Sequence, residues 1–334
     1  ELIEKVSKGM YIALREGTLS KDIQKLFKGI NQYTLRRCMF CTDDRFIGEI
    51  KQDGSIDYCI KKAVGLGVNP IDAIIMATLN PAECYGLKDK GAIAPSYRAD
   101  IVVADSLELN NIVSVYKDGV LCAENGEDVH TDGPSALYFK GVTETVHLDN
   151  ITADTFKCDI PDTLTAIELL PHAIITKKVT AKKTDKLSKL CVLERHHGLG
   201  TKGFGFVTNY GITNGAIASS VGHDSHNIAV IGDNNADMAL AVNTLGKDGG
   251  IAVCSGGKVL SFLKLGVAGL MSAECAEDVI SAHDDLYKAA KGLCISDGVD
   301  PFLALAFLPL PVIPEIRVTD GGLFDVTQFK FIEM

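Results

Sequence analysis

An apolar segment that ends abruptly in two adjacent carboxylates is the feature that most constrains the fold of this chain. Cys38–Cys41 is wholly apolar, and Asp43 and Asp44 follow it almost at once. A short run of this kind predicts a strand buried on both faces, as in a parallel sheet or barrel. In such folds chemistry is located at the carboxyl ends of strands, where a metal ligand or general base is expected. An acidic turn is the alternative, and the pattern alone leaves the two equally open.

The first 86 residues alternate predicted helices and strands, as βα units do. Glu1 to Gly9 reads as a helix, and the two strands present here are too few to close a barrel. We therefore expect the later part of a longer polypeptide. The other predicted elements are a strand over 10–14, a helix over 20–29, an amphipathic helix over 56–66, and a helix that Asn69 caps, that Pro70 begins and that stops before Pro81.

The pattern of predicted helices and strands changes twice after residue 86. Short strands with turn residues between them, among them 92–95, 99–104 and 112–117, predict a small β module over 87–145, and Asp118-Gly119 is a hairpin signal. Residues 146–334 form a third region of mixed strands and helices. Its predicted elements are strands at 215–221, 227–231 and 250–254, helices at 234–245 and 272–291, and an irregular buried segment at 301–314.

Composition excludes several classes of protein. A net charge of −10 argues against a nucleic acid or an anionic membrane surface as the main partner. Neither a transmembrane segment nor a signal peptide is evident. The ten cysteines are scattered singly or on apolar runs, which favours free thiols and a cytoplasmic location. Cys38 and Cys41 form a C-x-x-C, but strand residues three apart face opposite sides, so we expect core packing.

The densest polar cluster is His223-Asp224-Ser225-His226-Asn227. A metal site there would need a third ligand, from Asp224 or from His196-His197, and a hydrogen-bonded loop is the alternative. A Ser-His-Asp hydrolase is possible in principle, but no G-x-S-x-G elbow is present.

Two further segments are open to more than one interpretation. The glycine-rich stretch 196–205 lacks the spacing of a phosphate loop, and it predicts either a mobile lid or an ordinary loop. Arg15 and Glu16 follow the first strand and would share the catalytic mouth with Asp43 in a barrel. There they could orient a substrate, support a metal site or form an internal salt bridge.

These segments together resemble the adenine deaminases of the amidohydrolase superfamily, over essentially the whole chain. The superfamily's general pattern is seen in Asn80-Pro81-Ala82, in Gly91-Ala92-Ile93-Ala94-Pro95 and in Ala99-Asp100. Motifs specific to the adenine deaminase branch are Thr42-Asp43-Asp44-Arg45, Cys84-Tyr85-Gly86-Leu87 and His223-Asp224-Ser225-His226-Asn227, and the segments Ile12–Thr18, Met76–Leu79 and Gly215–Ser220 also resemble that branch.

The resemblance implies an α/β fold made of three parts. Residues 1–86 are the end of a (β/α)8 metal-dependent hydrolase barrel, with strand 7 at 10–15 and strand 8 at 38–42. Residues 87–145 are a β-sandwich module, and 146–334 are a C-terminal α/β domain. Asp43 is then a metal ligand that takes a proton from the attacking water. By the same resemblance, support of the metal ligand or contact with the substrate falls to Asp44, Arg45, Arg15, Glu16, His223, Asp224, Ser225, His226, Asn227 and His197.

The implied activity is hydrolysis of adenine to hypoxanthine and ammonia by metal-activated water, with Mn²⁺ or Fe²⁺, in a binuclear site, as cofactor. No histidine lies in the first 86 residues. We therefore expect the other ligands on a missing N-terminal barrel half, and inactivity of this chain alone. A homo-oligomer is also expected, with the 223–227 loop approaching the barrel mouth. The alternatives are another amidohydrolase acting on cyclic amides or amines, and a non-catalytic fragment or assembly subunit.

Overall fold

The computed structural model describes residues 1–109, 111–129, 141–149 and 151–334. The chain divides into two compact units, Glu1–Leu137 and Tyr138–Met334, here called the first and second units. The finer division at residues 86 and 145 stays a prediction.

The first unit begins with helices around a short parallel strand pair and ends in a small antiparallel sheet. Its elements are α1 (Leu2–Ser7), β1 (Ile12–Arg15), α2 (Ile23–Leu26), β2 (Cys38–Cys41), α3 (Ile47–Asp53), α4 (Ile56–Gly65), α5 (Pro70–Ala77), α6 (Leu79–Cys84), β3 (Ile101–Ala104), β4 (Ile112–Lys117), β5 (Val120–Glu124) and β6 (Glu127–Asp128).

The parallel pair β1–β2 lies in the core of the first unit. Cys38, Met39 and Phe40 are all buried, which confirms a strand covered on both faces. Helices α4 and α5 bury one face each in the same core, through residues that include Ile60 and Met76. Burial of each large apolar side chain contributes roughly 1.5–3 kcal/mol, so this packing holds the two strands in the core.

Several predicted boundaries in the first unit are confirmed and others are wrong. Helix α4 lies within one residue of its predicted bounds. The cap of α5 is also confirmed, because Asn69 Oδ1 accepts a hydrogen bond from the Ile71 amide. The helix predicted from residue 20 begins only at Ile23. Pro81 lies inside α6, at its third residue, where the missing amide hydrogen costs no helical bond. Helix α3 was not predicted, and the strand expected at 92–95 is absent from the described residues there.

The small sheet of the first unit is an antiparallel meander in the order β3-β4-β5-β6. Asp118 and Gly119 connect β4 to β5, and both have positive φ, at 50° and 81°. Two successive residues of positive φ match the twist of a tight hairpin, so the predicted turn is confirmed.

The second unit is built on a sheet with the strand order β14-β13-β11-β12-β9-β10-β7-β8 and a smaller one in the order β15-β16-β17. Its elements are β7 (Thr163–Leu169), β8 (Thr176–Lys182), β9 (Ser188–Leu193), β10 (Lys202–Thr208), β11 (Ala216–Ser219), β12 (Ile228–Gly232), α7 (Asn235–Leu245), β13 (Gly250–Ser255), β14 (Lys258–Lys264), α8 (Ala276–Lys291), α9 (Pro301–Phe307), β15 (Ile316–Thr319), β16 (Gly322–Asp325) and β17 (Lys330–Phe331).

Both faces of the large sheet are covered. Alternate residues of β9 show this arrangement, because Leu190 and Val192 belong to one core and Cys191 and Leu193 to another. Helix α7 packs in the second core, whereas α8, α9 and the small sheet pack in the first. Strands apolar on both faces and helices on both sides make this unit a mixed α/β fold.

Several expectations for the second unit can be compared with the structure. Helix α7 is confirmed with its cap, because Asn234 Oδ1 accepts a hydrogen bond from the Asp237 amide. Of the segment predicted as irregular, residues 301–307 form helix α9, since Pro301 occupies the first helical turn and Asp300 caps it. Residues 308–314 contain no helix or strand, as expected. The glycine-rich stretch 196–205 is only partly a loop, because its last four residues belong to β10. Among the described residues, no helix has the length and apolar character needed to cross a membrane.

Candidate functional site

The carboxyl ends of β1 and β2 lie side by side. The two strands pair in parallel with Arg15 opposite Cys41, so the segments that follow each strand emerge at one edge. Glu16 comes from the first of these segments, and Asp43 and Asp44 come from the second. This is the arrangement expected from the sequence, and it places polar side chains next to a buried apolar core.

Asp43 is held by an arginine from the neighbouring strand. Arg15 Nη1 donates to Asp43 Oδ2 at 3.0 Å, and Arg15 Nε donates to Asp22 Oδ2 at 2.9 Å. Partial burial works to lower the pKa of Arg15, but hydrogen bonds to Asp22 and Asp43 outweigh it and raise that pKa. The guanidinium therefore stays charged and orients the Asp43 carboxylate, which is 42% exposed. Of the alternatives for Arg15, the structure shows the internal salt bridge.

Asp44 points into the loop after β1 and not toward Asp43's partner. Its Oδ2 accepts a hydrogen bond from the Leu19 amide at 3.2 Å, while Oδ1 is buried with no hydrogen-bond partner among the described residues. A Cβ at Gly17 would lie 1.8 Å from that Oδ1. The adjacent carboxylates therefore have different roles: Asp43 pairs with Arg15, whereas Asp44 packs against Gly17 and binds the backbone of the loop after β1.

Behind these carboxylates lies a second set of charged side chains. Glu16 is fully buried, and its Oε1 lies 2.5 Å from Lys62 Nζ on α4. The Arg45 side chain is 3% exposed, pairs with Asp53 at 3.1 Å and stacks over the Tyr58 ring at 4.2 Å. Both groups attach the loops after β1 and β2 to the helices that follow.

A divalent metal cannot be held by this cluster alone. Among residues 1–109, 111–129, 141–149 and 151–334, no three His, Cys, Asp or Glu side chains lie close enough to bind one ion. Asp43 is the single predicted ligand, and its Oδ2 is occupied by Arg15. The donor set described here therefore does not fit a complete metal centre.

The 222–227 loop belongs to the second unit, and three consecutive residues after β9 organise its surroundings. Glu194 accepts hydrogen bonds from the amides of His196, His197 and Leu199. Burial works to raise the pKa of Glu194, but these donors outweigh it and lower the pKa. His196 Nε2 lies 2.7 Å from the Ser225 carbonyl oxygen, so it donates there.

Arg195 ties this loop to two other segments. It is almost completely buried, and its guanidinium donates to the carbonyl oxygens of Thr145, His226 and Ala268. Burial lowers the pKa of Arg195. A fork of several N–H donors suits this task, since it satisfies carbonyls from three segments at once.

The imidazoles of the loop stand near each other without forming a metal site. His223 stacks on Phe307 with ring centroids 4.7 Å apart, and the His223 and His226 rings are 6.3 Å apart. The interpretation of this cluster as a metal site is wrong for the described residues. Burial, then His223 and Arg195, lower the pKa of His226.

The other members of the loop make local contacts. The Ser225 hydroxyl oxygen accepts from the Asn227 amide at 3.4 Å, and no hydrogen bond joins this hydroxyl to an imidazole among the described residues. Asn227 is buried and its Oδ1 has no hydrogen-bond partner in the part of the chain that is described. Asp224 is exposed. The Ser-His-Asp alternative therefore receives no support from the loop's hydrogen bonds.

Several residues of these networks were missed by sequence reasoning. Glu194 and Arg195 could have been suspected, because charged residues directly follow the apolar run of β9. Asp22 lies seven residues after its partner Arg15, and Lys62 lies 46 residues after Glu16. Neither pairing has a signal in the local pattern, since both depend on how the chain folds back.

Comparison with known proteins adds the following findings. Residues 163–330 match the adenine deaminase C-terminal domain, and residues 2–122 match the amidohydrolase family. An adenine deaminase from Nitratidesulfovibrio vulgaris is 42% identical over 99% of this chain and 60% of its own length. Those from Halalkalibacterium halodurans and Clostridium acetobutylicum are 40% and 39% identical, covering 98% and 99% of this chain.

A solved β-aspartyl dipeptidase from Fervidobacterium islandicum matches 39% of this chain and 35% of its own at 22% identity, with a TM-score of 0.30. This likeness is too weak to bear on the fold. The chain spans about 60% of the length of the curated relatives that it matches. The chain therefore belongs to the adenine deaminase C-terminal domain family, whose model covers half of its residues.

Proposed function

We propose that this chain carries part of the active site of an adenine deaminase, which hydrolyses adenine to hypoxanthine and ammonia. The observation that carries the proposal is Asp43, at the carboxyl end of a buried parallel strand, in a chain 42% identical to an adenine deaminase. A carboxylate there is suited to general-base chemistry on a water molecule.

In the proposed reaction Asp43 accepts a proton from the water that attacks the amino-bearing carbon of adenine. It then returns that proton to the departing amine, which leaves as ammonia. Arg15 fixes the Asp43 carboxylate in one orientation. General base catalysis requires such alignment of the carboxylate with the proton that it removes from water. Asp44 and Glu16 support the two loops from which Arg15 and Asp43 emerge.

The amidohydrolase superfamily generally uses divalent metal ions. Mn²⁺ or Fe²⁺, in a binuclear site, is the cofactor that we propose for the whole enzyme. Asp43 would be the ligand contributed by the residues described here. The others would come from a barrel segment outside this chain, and a homo-oligomer in the cytoplasm remains part of the proposal. Participation of the 223–227 loop in enclosing the substrate stays a prediction.

Adenine-dependent ammonia release tests the proposal. The 334-residue chain is assayed alone and joined to the region of the N. vulgaris relative that lies outside the match, each with Mn²⁺ or Fe²⁺. We expect equal amounts of hypoxanthine and ammonia from the joined protein and none from the chain alone. Absence of turnover from a folded, metal-loaded joined protein would contradict the proposed function.

A matched pair of variants tests the role of Asp43. Asp43→Asn should lower turnover by about 100-fold or more, because an amide cannot act as the base. Asp118→Asn is the control, since Asp118 is also an exposed, arginine-paired aspartate with positive φ. Asparagine tolerates this backbone conformation, so both variants should fold. Equal turnover in the two variants would remove Asp43 from the reaction.

A further inference from the structure

A buried ion pair connects helix α4 to the loop that follows β1. Lys62 Nζ lies 2.5 Å from Glu16 Oε1, and the Glu16 side chain is 1% exposed while that of Lys62 is 21% exposed. The other carboxylate oxygen of Glu16 is buried with no hydrogen-bond partner among the described residues. Removal of one partner from a buried pair leaves an uncompensated charge, so the placement of Glu16 depends on Lys62.

Glu16 is also fixed through the backbone beside Arg15. The Glu16 amide donates to the Cys41 carbonyl at 2.9 Å, which extends the contact between the two strand ends. The Asp22 amide donates to the Arg15 carbonyl at 2.9 Å, so the loop returns to Arg15. The side chain of Glu16 attaches this same loop to α4. Displacement of Glu16 would therefore displace Arg15, whose guanidinium holds Asp43.

We propose that Lys62 is a positioning residue for this site. Lys62 fixes Glu16, Glu16 fixes the loop after β1, and that loop sets the direction from which Arg15 reaches Asp43. The inference rests on the proposed function for its effect on turnover. Its effect on the loop is a property of the chain itself and can be measured without any activity.

The neighbouring lysine provides a matched control. Lys61 lies on the same helix and pairs with Asp57 four residues earlier, at 3.1 Å. This pair stays within α4 and links no other element. A Lys61→Met variant therefore removes one lysine charge and one ion pair from the same helix without touching the loop after β1.

Hydrogen exchange of the 334-residue chain tests the positional effect. The amides of Glu16 and Asp22 report on the loop, and the Val318 amide in the second unit reports on the rest of the chain. We expect exchange at Glu16 and Asp22 to become faster by about 100-fold in Lys62→Met and in Glu16→Gln, with Val318 unchanged. Lys61→Met should leave all three amides within about threefold of the wild type.

Glu16→Gln keeps the shape of the side chain, so it tests the inference even when Lys62→Met does not fold. Wild-type protection of the loop in folded Glu16→Gln would overturn the proposal. So would equal acceleration in Lys61→Met.

Turnover by the joined protein tests the functional effect. Lys62→Met should lower kcat by about tenfold with little change in KM for adenine, since the substrate contacts are retained. Lys62→Arg should recover most of kcat, because a cation again faces Glu16. Wild-type kcat in Lys62→Met would overturn the proposal. An inactive wild-type joined protein would instead count against the proposed function, while the exchange result would still decide the positional effect.

Discussion

Arg15 Nη1 lies 3.0 Å from Asp43 Oδ2 across the carboxyl ends of two adjacent parallel strands. The same guanidinium holds Asp22, so one cation orders two carboxylates from separate segments. Both partners of the Arg15–Asp43 pair are 42% exposed. A pair this open to water contributes little to folding, so its significance lies in the direction that it gives to Asp43.

Replacement of Arg15 by methionine should therefore change stability only slightly. We expect the free energy of unfolding to fall by less than about 1 kcal/mol, because exposed ion pairs are screened by solvent. Urea unfolding of the chain measures this value. Arg36→Met is the control, since Arg36 pairs with Glu83 at similar exposure. A loss above about 2 kcal/mol in Arg15→Met alone would show that the cation supports the fold itself.

The sequence predicted elements with strong local signals and missed those that depend on distant partners. Helix α7 was placed within one residue, because Asn234 and Asp237 form a local cap. The helix expected from residue 20 begins later, because the Asp22 carboxylate binds Arg15 and makes no cap bond. Strands β7–β10 were not predicted, although β7 pairs with β8 and β9 pairs with β10, the next strand along the chain. Only the further pairings, of β7 with β10 and of β9 with β12, join segments that are distant in sequence.

The candidate site shows the same division. Two short apolar runs predicted two parallel strands, and the carboxyl ends of parallel strands lie at the same edge of a sheet. That Arg15 and Asp43 lie side by side was therefore predictable. The resemblance placed Glu16 and Arg45 near Asp43 in the site. Their partners Lys62 and Asp53 lie on helices, and no sequence motif predicts how those helices pack against the site. Local chemistry is therefore readable from the residues, whereas the supporting contacts require the fold.

Gly17 should tolerate no side chain. A Cβ there would lie 1.8 Å from Asp44 Oδ1 and 2.8 Å from the Thr42 carbonyl oxygen, which is backbone and cannot rotate away. We expect Gly17→Ala to lower the free energy of unfolding by about 1–3 kcal/mol. Gly65→Ala is the matched control, because nothing lies within 4 Å of its Cβ in α4. That variant should be stabilised by roughly 0.5–1 kcal/mol, and equal effects in urea unfolding would contradict the prediction.

Arg195 should be among the most sensitive positions of the second unit. Arg195→Met would leave the partly buried carbonyls of Thr145, His226 and Ala268 without their donor, at a cost of about 2–4 kcal/mol. Arg195→Lys should recover only part of this, because an ammonium group lacks the planar fork. Urea unfolding measures both, with the exposed Lys183→Met as control. A loss below about 1 kcal/mol in Arg195→Met would show that water satisfies those carbonyls.

The pH dependence of stability should report on His226. Burial, followed by His223 and Arg195, lowers the pKa of His226 below its ordinary value of 6.5, and Asp224 opposes this shift. The folded chain then binds fewer protons here than the unfolded chain does. This contribution to stability is present above pH 6.5 and is lost as the pH falls through the folded pKa.

Urea unfolding at pH 7.5 and pH 5.5 should therefore show a smaller loss of stability in His226→Asn than in the wild type. Asparagine suits the position, because φ at His226 is 51°. His172→Asn is the control, since His172 is exposed and has a φ of 56°. It should lose as much stability on acidification as the wild type. If His226→Asn loses as much stability between pH 7.5 and pH 5.5 as the wild type, protonation of His226 does not destabilise the folded chain. The 222–227 loop then keeps its structure when that imidazole is charged.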